Sequence, residues 1–195
     1  WELLVLPIGS DEPNYYLPVG TGNLVTTNPA TILNLSNSTQ YTLFIRAICS
    51  ETDRSAWTLG YNFSTEPPND ECANASIVPV NNSSSCAQIT SGTISGSSAS
   101  VNALPQVCVG IADDDVWFQF TALASIHNIN LNDVQGTTTD LAFAVYSGAS
   151  CSALTQINCQ VNNNGLVGGL TAGETYYIRV YSQPATPNLL ANFVL

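Results

Sequence analysis

Apolar residues recur at every second position along much of this 195-residue chain, and that period most limits what it can fold into. Between Asp115 and Thr121, Val116, Phe118 and Phe120 share one face, while Trp117 and Gln119 share the other. The stretches 41–48, 125–131, 141–146, 175–181 and 191–195 are also rich in β-formers and read as strands. No stretch carries a convincing 3.6-residue period. Turn signals at Val19–Gly22, Asn163–Gly165 and Gly168-Gly169 punctuate the runs. Many short strands joined by polar turns predict an all-β chain of sandwich or jelly-roll type.

Charge narrows the function. Charged residues are 9% of the chain, against a usual ~25%. There are 14 carboxylates and three arginines, no lysine, and a formal net charge of −11. Such a chain has no basic footprint for phosphates, which excludes nucleic-acid binding. No apolar run reaches the ~18 residues of a membrane span, so membrane insertion is not expected. Six cysteines, Cys49, Cys72, Cys86, Cys108, Cys151 and Cys159, form no CxxC pair, and His127 is the single histidine. Zinc is therefore disfavoured, and disulfides in an exported protein are the better reading. Cys151 and Cys159 flank a predicted hairpin and are expected to pair. The chain opens at Trp1 with no leader, as a mature product or a piece of something longer would.

Pro67-Pro68 marks the boundary, because two prolines end strand pairing and stiffen a link. Domain one is placed at 1–66 and domain two at 67–195. Both repeat one local pattern. Leu35 precedes Tyr41 by six residues, and the strand after Tyr41 carries Arg46. Leu170 precedes Tyr176 by six, and that strand carries Arg179. This is the spacing of a tyrosine corner, in which the hydroxyl bonds back to the preceding loop.

In domain one, Leu35, Thr39 and Tyr41, then Ile45-Arg46-Ala47, Trp57 and Phe63-Ser64-Thr65, resemble the second half of a fibronectin type III domain. The flavour is that of secreted Bacteroidetes proteins. In that resemblance Trp1-Glu2 falls on the third strand, so the sandwich is incomplete and lacks its first two strands. In domain two, Asn69-Asp70, Cys72, Asn74-Ala75, the 115–121 strand, Asp140-Leu141, Val145–Gly148 and 170–180 resemble the pre-peptidase C-terminal jelly rolls of bacterial proteases and adhesins. With Cys151 and Cys159 paired, three cysteines remain in domain two. The expected second pair is Cys86–Cys108, which leaves Cys49 and Cys72 with partners outside the chain. An incomplete sandwich exposes a sheet edge and an apolar face. Either neighbouring sequence covers them, or another chain adds a strand, as in a filament.

Asp113, Asp114 and Asp115 are three adjacent carboxylates that open a strand, and a hard cation with oxygen ligands would relieve their repulsion. The jelly-roll resemblance implies calcium held between these acids and the entering linker, here Glu66, Asn69 and Asp70. The competing reading is a solvated acidic loop. Tyr15 and Tyr16, in a loop beside Asn14, are the best-exposed aromatic pair and candidates for stacking on a sugar. No Gly-x-Ser-x-Gly elbow, His-Glu-x-x-His or P-loop occurs, and His127 has no evident triad, so no enzyme activity is expected. These observations point to a non-catalytic extracellular adhesion or structural module of a larger secreted or cell-surface protein. Its expected partners are other domains of the same polypeptide or neighbouring subunits, with surface glycans as possible ligands. A strand-adding filament subunit and a carbohydrate-binding accessory of an exported hydrolase are the alternatives.

Overall fold

The computed structural model describes residues 1–83, 86–100, 108–186 and 189–195. It is all-β, with a single 3-10 turn, Cys72–Asn74, among the described residues. The chain divides after Thr65 into two compact units.

Unit one is a single antiparallel sheet. It comprises β1 (Glu2–Pro7), β2 (Asn23–Leu24), β3 (Gln40–Arg46) and β4 (Tyr61–Ser64), in the order β2-β1-β3-β4. Glu2 lies opposite Arg46 and Leu4 opposite Phe44, and these four side chains are buried on one face. Leu3, Val5, Leu43 and Ile45 alternate onto the other face and are only half-buried. The Tyr41 hydroxyl accepts a hydrogen bond from the Ser36 N–H at 2.9 Å, closing the loop before β3. Alternation alone does not mark β1, because Leu3 to Leu6 is an unbroken apolar run.

Unit two is a two-layer sandwich. The larger layer contains β5 (Ser76–Ile77), β7 (Val116–Thr121), β10 (Leu141–Ser147), β11 (Thr155–Gln160) and β13 (Thr175–Ser182), ordered β11-β10-β13-β7-β5. The second layer contains β6 (Ser91–Thr93), β14 (Ala191–Val194) and β9 (Asn132–Gly136), ordered β6-β14-β9, and the pair β12 (Asn164–Gly168) with β8 (Ile126–Asn130). Only Leu131 separates β8 from β9. The core lies between the layers, where Val116, Phe118, Phe120, Phe143, Val145, Ile178 and Val180 meet Ile129, Leu131, Val167 and Phe193. Fully burying one such side chain contributes roughly 1.5–3 kcal/mol. The outer face of the larger sheet is buried as well, by a second cluster of Trp117, Ala144, Tyr146 and Cys72. This is why six consecutive β10 residues, Leu141 to Tyr146, are inaccessible. The second tyrosine corner also forms, with the Thr171 N–H donating to the Tyr176 hydroxyl at 2.9 Å.

The disulfides correct the pairing expected from spacing. Cys151 pairs with Cys72, and Cys159 pairs with Cys108, with Cα separations of 5.8 and 5.4 Å. Cys151 lies in the turn between β10 and β11, while Cys159 sits near the far end of β11, opposite Ala144. Four residues of extended strand beyond Thr155 place Cys159 about 13 Å along β11, too far for a bond to Cys151. Cys86 is therefore not the partner of Cys108. Cys49 and Cys86 are free thiols, both exposed.

Candidate functional site

Each unit contains a buried carboxylate–arginine station beside a tryptophan. In unit one, Arg46 donates through Nε to Glu2 Oε2 at 2.8 Å, and neither side chain is accessible. The rest of the guanidinium donates to the carbonyls of Tyr15, Leu17 and Pro18 at 3.0–3.3 Å, and its carbon lies 4.3 Å from the Trp57 ring centroid. Glu2 Oε1 accepts from the Gly20 and Gly22 N–H groups at 3.0 and 2.8 Å. Burial alone would raise the Glu2 pKa. Hydrogen bonds from Gly22, Arg46 and Gly20 outweigh it and hold the carboxyl below its ordinary range. The station thus ties the 15–22 loop onto the sheet.

In unit two, Arg179 on β13 grips Asp115 with two parallel bonds, Nε to Oδ2 at 2.9 Å and Nη2 to Oδ1 at 3.1 Å. Ser100 supplies its N–H to Oδ1 at 2.9 Å and a short hydroxyl bond to Oδ2. The Trp117 indole N–H in turn donates to the Ser100 hydroxyl at 2.7 Å. Burial works against the charged Arg179, but Asp115 overrides it and raises the arginine's pKa. Glu2 and Ser100 are members of these networks that pattern reading missed, because their partners lie 44 and 15 residues away along the chain.

The six residues proposed from the sequence as calcium ligands have several different roles. Asp115 is neutralised by Arg179. Asp70 accepts from the Ser98 N–H and hydroxyl at 2.8 and 2.9 Å. Asn69 exchanges hydrogen bonds with the backbone of Trp117, fixing the entering segment to β7, while Glu66 is exposed. Asp113 Oδ1 and Asp114 Oδ2 are buried oxygens with no hydrogen-bond partner. Asp114 is inaccessible, and its Oδ1 accepts the Ser182 N–H at 2.9 Å. Burial, reinforced by the charges of Asp113 and Asp115, pushes the Asp114 pKa up to about 6. Burial also raises the Asp70 pKa, with Glu66 and Asp115 adding to the effect. Among the described residues, no three His, Cys, Asp or Glu side chains form a metal-holding group. What a hard cation can still satisfy is the pair of open oxygens on Asp113 and Asp114.

The remaining candidates lie apart from these networks. Tyr15 and Tyr16 are 44% and 78% exposed, with ring centroids 5.4 Å apart and planes at 89°. They present two crossed faces rather than one flat platform. The Tyr15 hydroxyl donates to the Arg54 carbonyl at 3.3 Å. His127 is held by the Leu123 and Ala124 N–H groups, both donating to Nε2 at 3.0 and 3.2 Å. Nε2 is thereby an occupied acceptor, and the ring packs edge-on to Phe120. His127 also lines a cleft of about 420 Å³ between β8 and the segments 78–83 and 86–89. Asn81, Gln88, Asn128 and Asn130 rim the cleft, and Phe120 and Ile178 form part of its floor.

Unit two, then, defines a class: disulfide-bonded two-layer β-sandwiches of the kind found in exported proteins. Residues 68–194 match the model of the type IX secretion-associated galactose-binding-domain-like family, and the chain belongs to that family. The setting is accordingly that of a Bacteroidetes-type secreted or cell-surface protein. No curated protein matches the chain. No helix among the described residues is long and apolar enough to cross a membrane.

Proposed function

We propose that the chain is a non-catalytic accessory module of a larger exported protein and that it attaches its carrier to neutral surface glycans. The observation that carries this reading is the match of 68–194 to a galactose-binding-domain-like family. The amide-rich, cation-poor surface supports it, since neutral sugars are met by amides, hydroxyls and aromatic faces rather than by charge. The single histidine has its Nε2 occupied by two backbone donors, which supports the absence of catalysis. In unit one, the strand order β2-β1-β3-β4 and the tyrosine corner support a fibronectin-like sheet with one layer present. The test is retention of the 195-residue chain on immobilised neutral polysaccharides and on a glycan array. Retention that free sugar competes away is expected. Retention lost in Tyr15→Ala/Tyr16→Ala locates the site in unit one, and retention kept by residues 66–195 alone locates it in unit two. No retention on any neutral glycan removes the reading.

A second reading concerns calcium, and rests on the open buried oxygens of Asp113 and Asp114. Calcium is expected to raise the melting midpoint of the wild type and to leave that of Asp114→Asn unmoved. An equal response in both, or none in either, sinks it.

A further inference from the structure

Two loops of unit one, β1–β2 and β3–β4, meet at Tyr15. The Tyr15 hydroxyl donates to the Arg54 carbonyl and the Trp57 indole N–H to the Asn14 carbonyl, both at 3.3 Å. These loops hold three aromatic rings, and two of the rings carry an arginine. Arg46 lies over Trp57, 4.3 Å from its centroid, and Arg54 lies over Tyr15 at 5.8 Å. Tyr16 is 78% exposed and carries no cation among the described residues. Its backbone is nevertheless fixed. The Tyr16 N–H donates to Asn14 Oδ1 at 2.9 Å, and Arg46 holds the carbonyls on either side, those of Tyr15 and Leu17. The charge around these rings is as uneven as the stacking. Unit one has five carboxylates, Glu2, Asp11, Glu12, Glu51 and Asp53. Glu2 is buried against Arg46. The other four are exposed, and all four lie on these same two loops. None of the four forms an ion pair among the described residues. Arg54 is the other basic residue of the unit, and its Nη1 is already engaged by the Glu51 carbonyl at 2.7 Å.

We infer that Tyr16 anchors a docking surface for a protein segment that presents arginine. A guanidinium is planar and weakly hydrated, so it lies flat on an aromatic face at less desolvation cost than an ammonium. That is the arrangement the neighbouring Trp57 and Tyr15 rings already make from within the unit. The exposed carboxylates draw a cationic segment in from a distance and repel an acidic one. The fixed backbone at Tyr16 limits the entropy lost when the ring is engaged. Charge also decides between occupants. A second copy of the chain is itself at −11, with Arg46 and Arg179 buried, and offers only Arg54. A neutral sugar stacks on the ring but draws no long-range attraction from the carboxylates. This surface is therefore additional to the neutral-glycan reading and does not depend on it.

The experiment titrates the 195-residue chain with two end-capped peptides, Gly-Arg-Gly-Arg-Gly and Gly-Lys-Gly-Lys-Gly, and follows backbone amide shifts by NMR. At low salt the arginine peptide should bind about two- to fivefold more tightly than the lysine peptide, with the largest shifts around Tyr16. Tyr16→Phe keeps the ring and should bind like the wild type. Tyr16→Leu should leave the melting midpoint in place and bring the arginine peptide down to the lysine level. Asp11→Asn/Glu12→Gln/Glu51→Gln/Asp53→Asn should weaken both peptides to a similar degree and flatten the dependence on salt. Equal affinity of the wild type for the two peptides overturns the proposal, as does an arginine preference that survives Tyr16→Leu. Shifts confined to unit two, or no binding of the arginine peptide at low salt, overturn it as well. Glycan retention is a separate measurement, so either reading can fail without the other.

Discussion

Asp114 is the residue whose environment conflicts most with its charge. Its folded pKa of about 6 exceeds its ordinary value of 3.8, so the native state holds its proton more tightly than the unfolded chain does. Stability must therefore fall as pH rises from about 4 to 6, by up to roughly 3 kcal/mol, and stay reduced above that window. Asp114→Asn keeps an oxygen for the Ser182 N–H and removes the charge. Melts from pH 4.5 to 7.5 should show this variant above wild type at pH 7.5 and without the wild-type slope. A variant that retains the slope would move its cause elsewhere. Arg179 presents the opposite situation, since its charge is what makes the buried Asp115 tolerable. Arg179→Met should cost about 3–5 kcal/mol in urea unfolding, because it strands a buried carboxylate. Adding Asp115→Asn should recover part of the loss, and a cost under about 1 kcal/mol would show that Ser100 suffices.

Among the elements, β3, β7 and β13 were legible because they are rich in β-branched and aromatic residues, even though their alternation is imperfect. Both tyrosine corners were legible too, since Leu35–Tyr41 and Leu170–Tyr176 share one spacing. β9 and β12 were not, because Asn132–Gly136 and Asn164–Gly168 are polar or glycine-containing and take their conformation from the strands they pair with. Trp117 was read onto the face opposite Phe118 without any sign that this face is buried as well. The site networks were hidden by distance along the chain, since Asp115 meets Arg179 across 64 residues and Glu2 meets Arg46 across 44. Cysteine pairing is hidden for the same reason, as the two bonds span 79 and 51 residues. Loops of that length make each crosslink worth about 4 kcal/mol through the unfolded state. Non-reducing peptide mapping should return Cys72–Cys151 and Cys108–Cys159, with only Cys49 and Cys86 alkylated. A Cys151–Cys159 peptide would contradict the fold of β11.

At the scale of the whole molecule, the two units are unequal. Buried apolar side chains in unit one are Leu4, Tyr41 and Phe44, whereas one cluster in unit two joins seventeen buried residues. A single sheet with one well-buried face is marginal, while a two-layer sandwich with two disulfides is not. Calorimetry of the 195-residue chain should resolve two transitions. Residues 66–195 alone should keep the upper one within about 2 °C and lack the lower. One transition that vanishes on removing unit one would show that the units fold together.

Burying two of the three arginines also affects how the folded chain meets proteases. Arg46 and Arg179 are 1% and 4% accessible, and there is no lysine. Arg54 is the remaining basic residue, half-buried, with its guanidinium donating to the Glu51 carbonyl. A protease that cuts after basic residues thus finds a single site, the Arg54–Ser55 bond, outside unit two. Trypsin should nick the native chain there or nowhere, leaving residues 66–195 whole, whereas proteases of broad specificity should open its loops. A module built this way can stand among trypsin-like enzymes outside the cell without being digested by them.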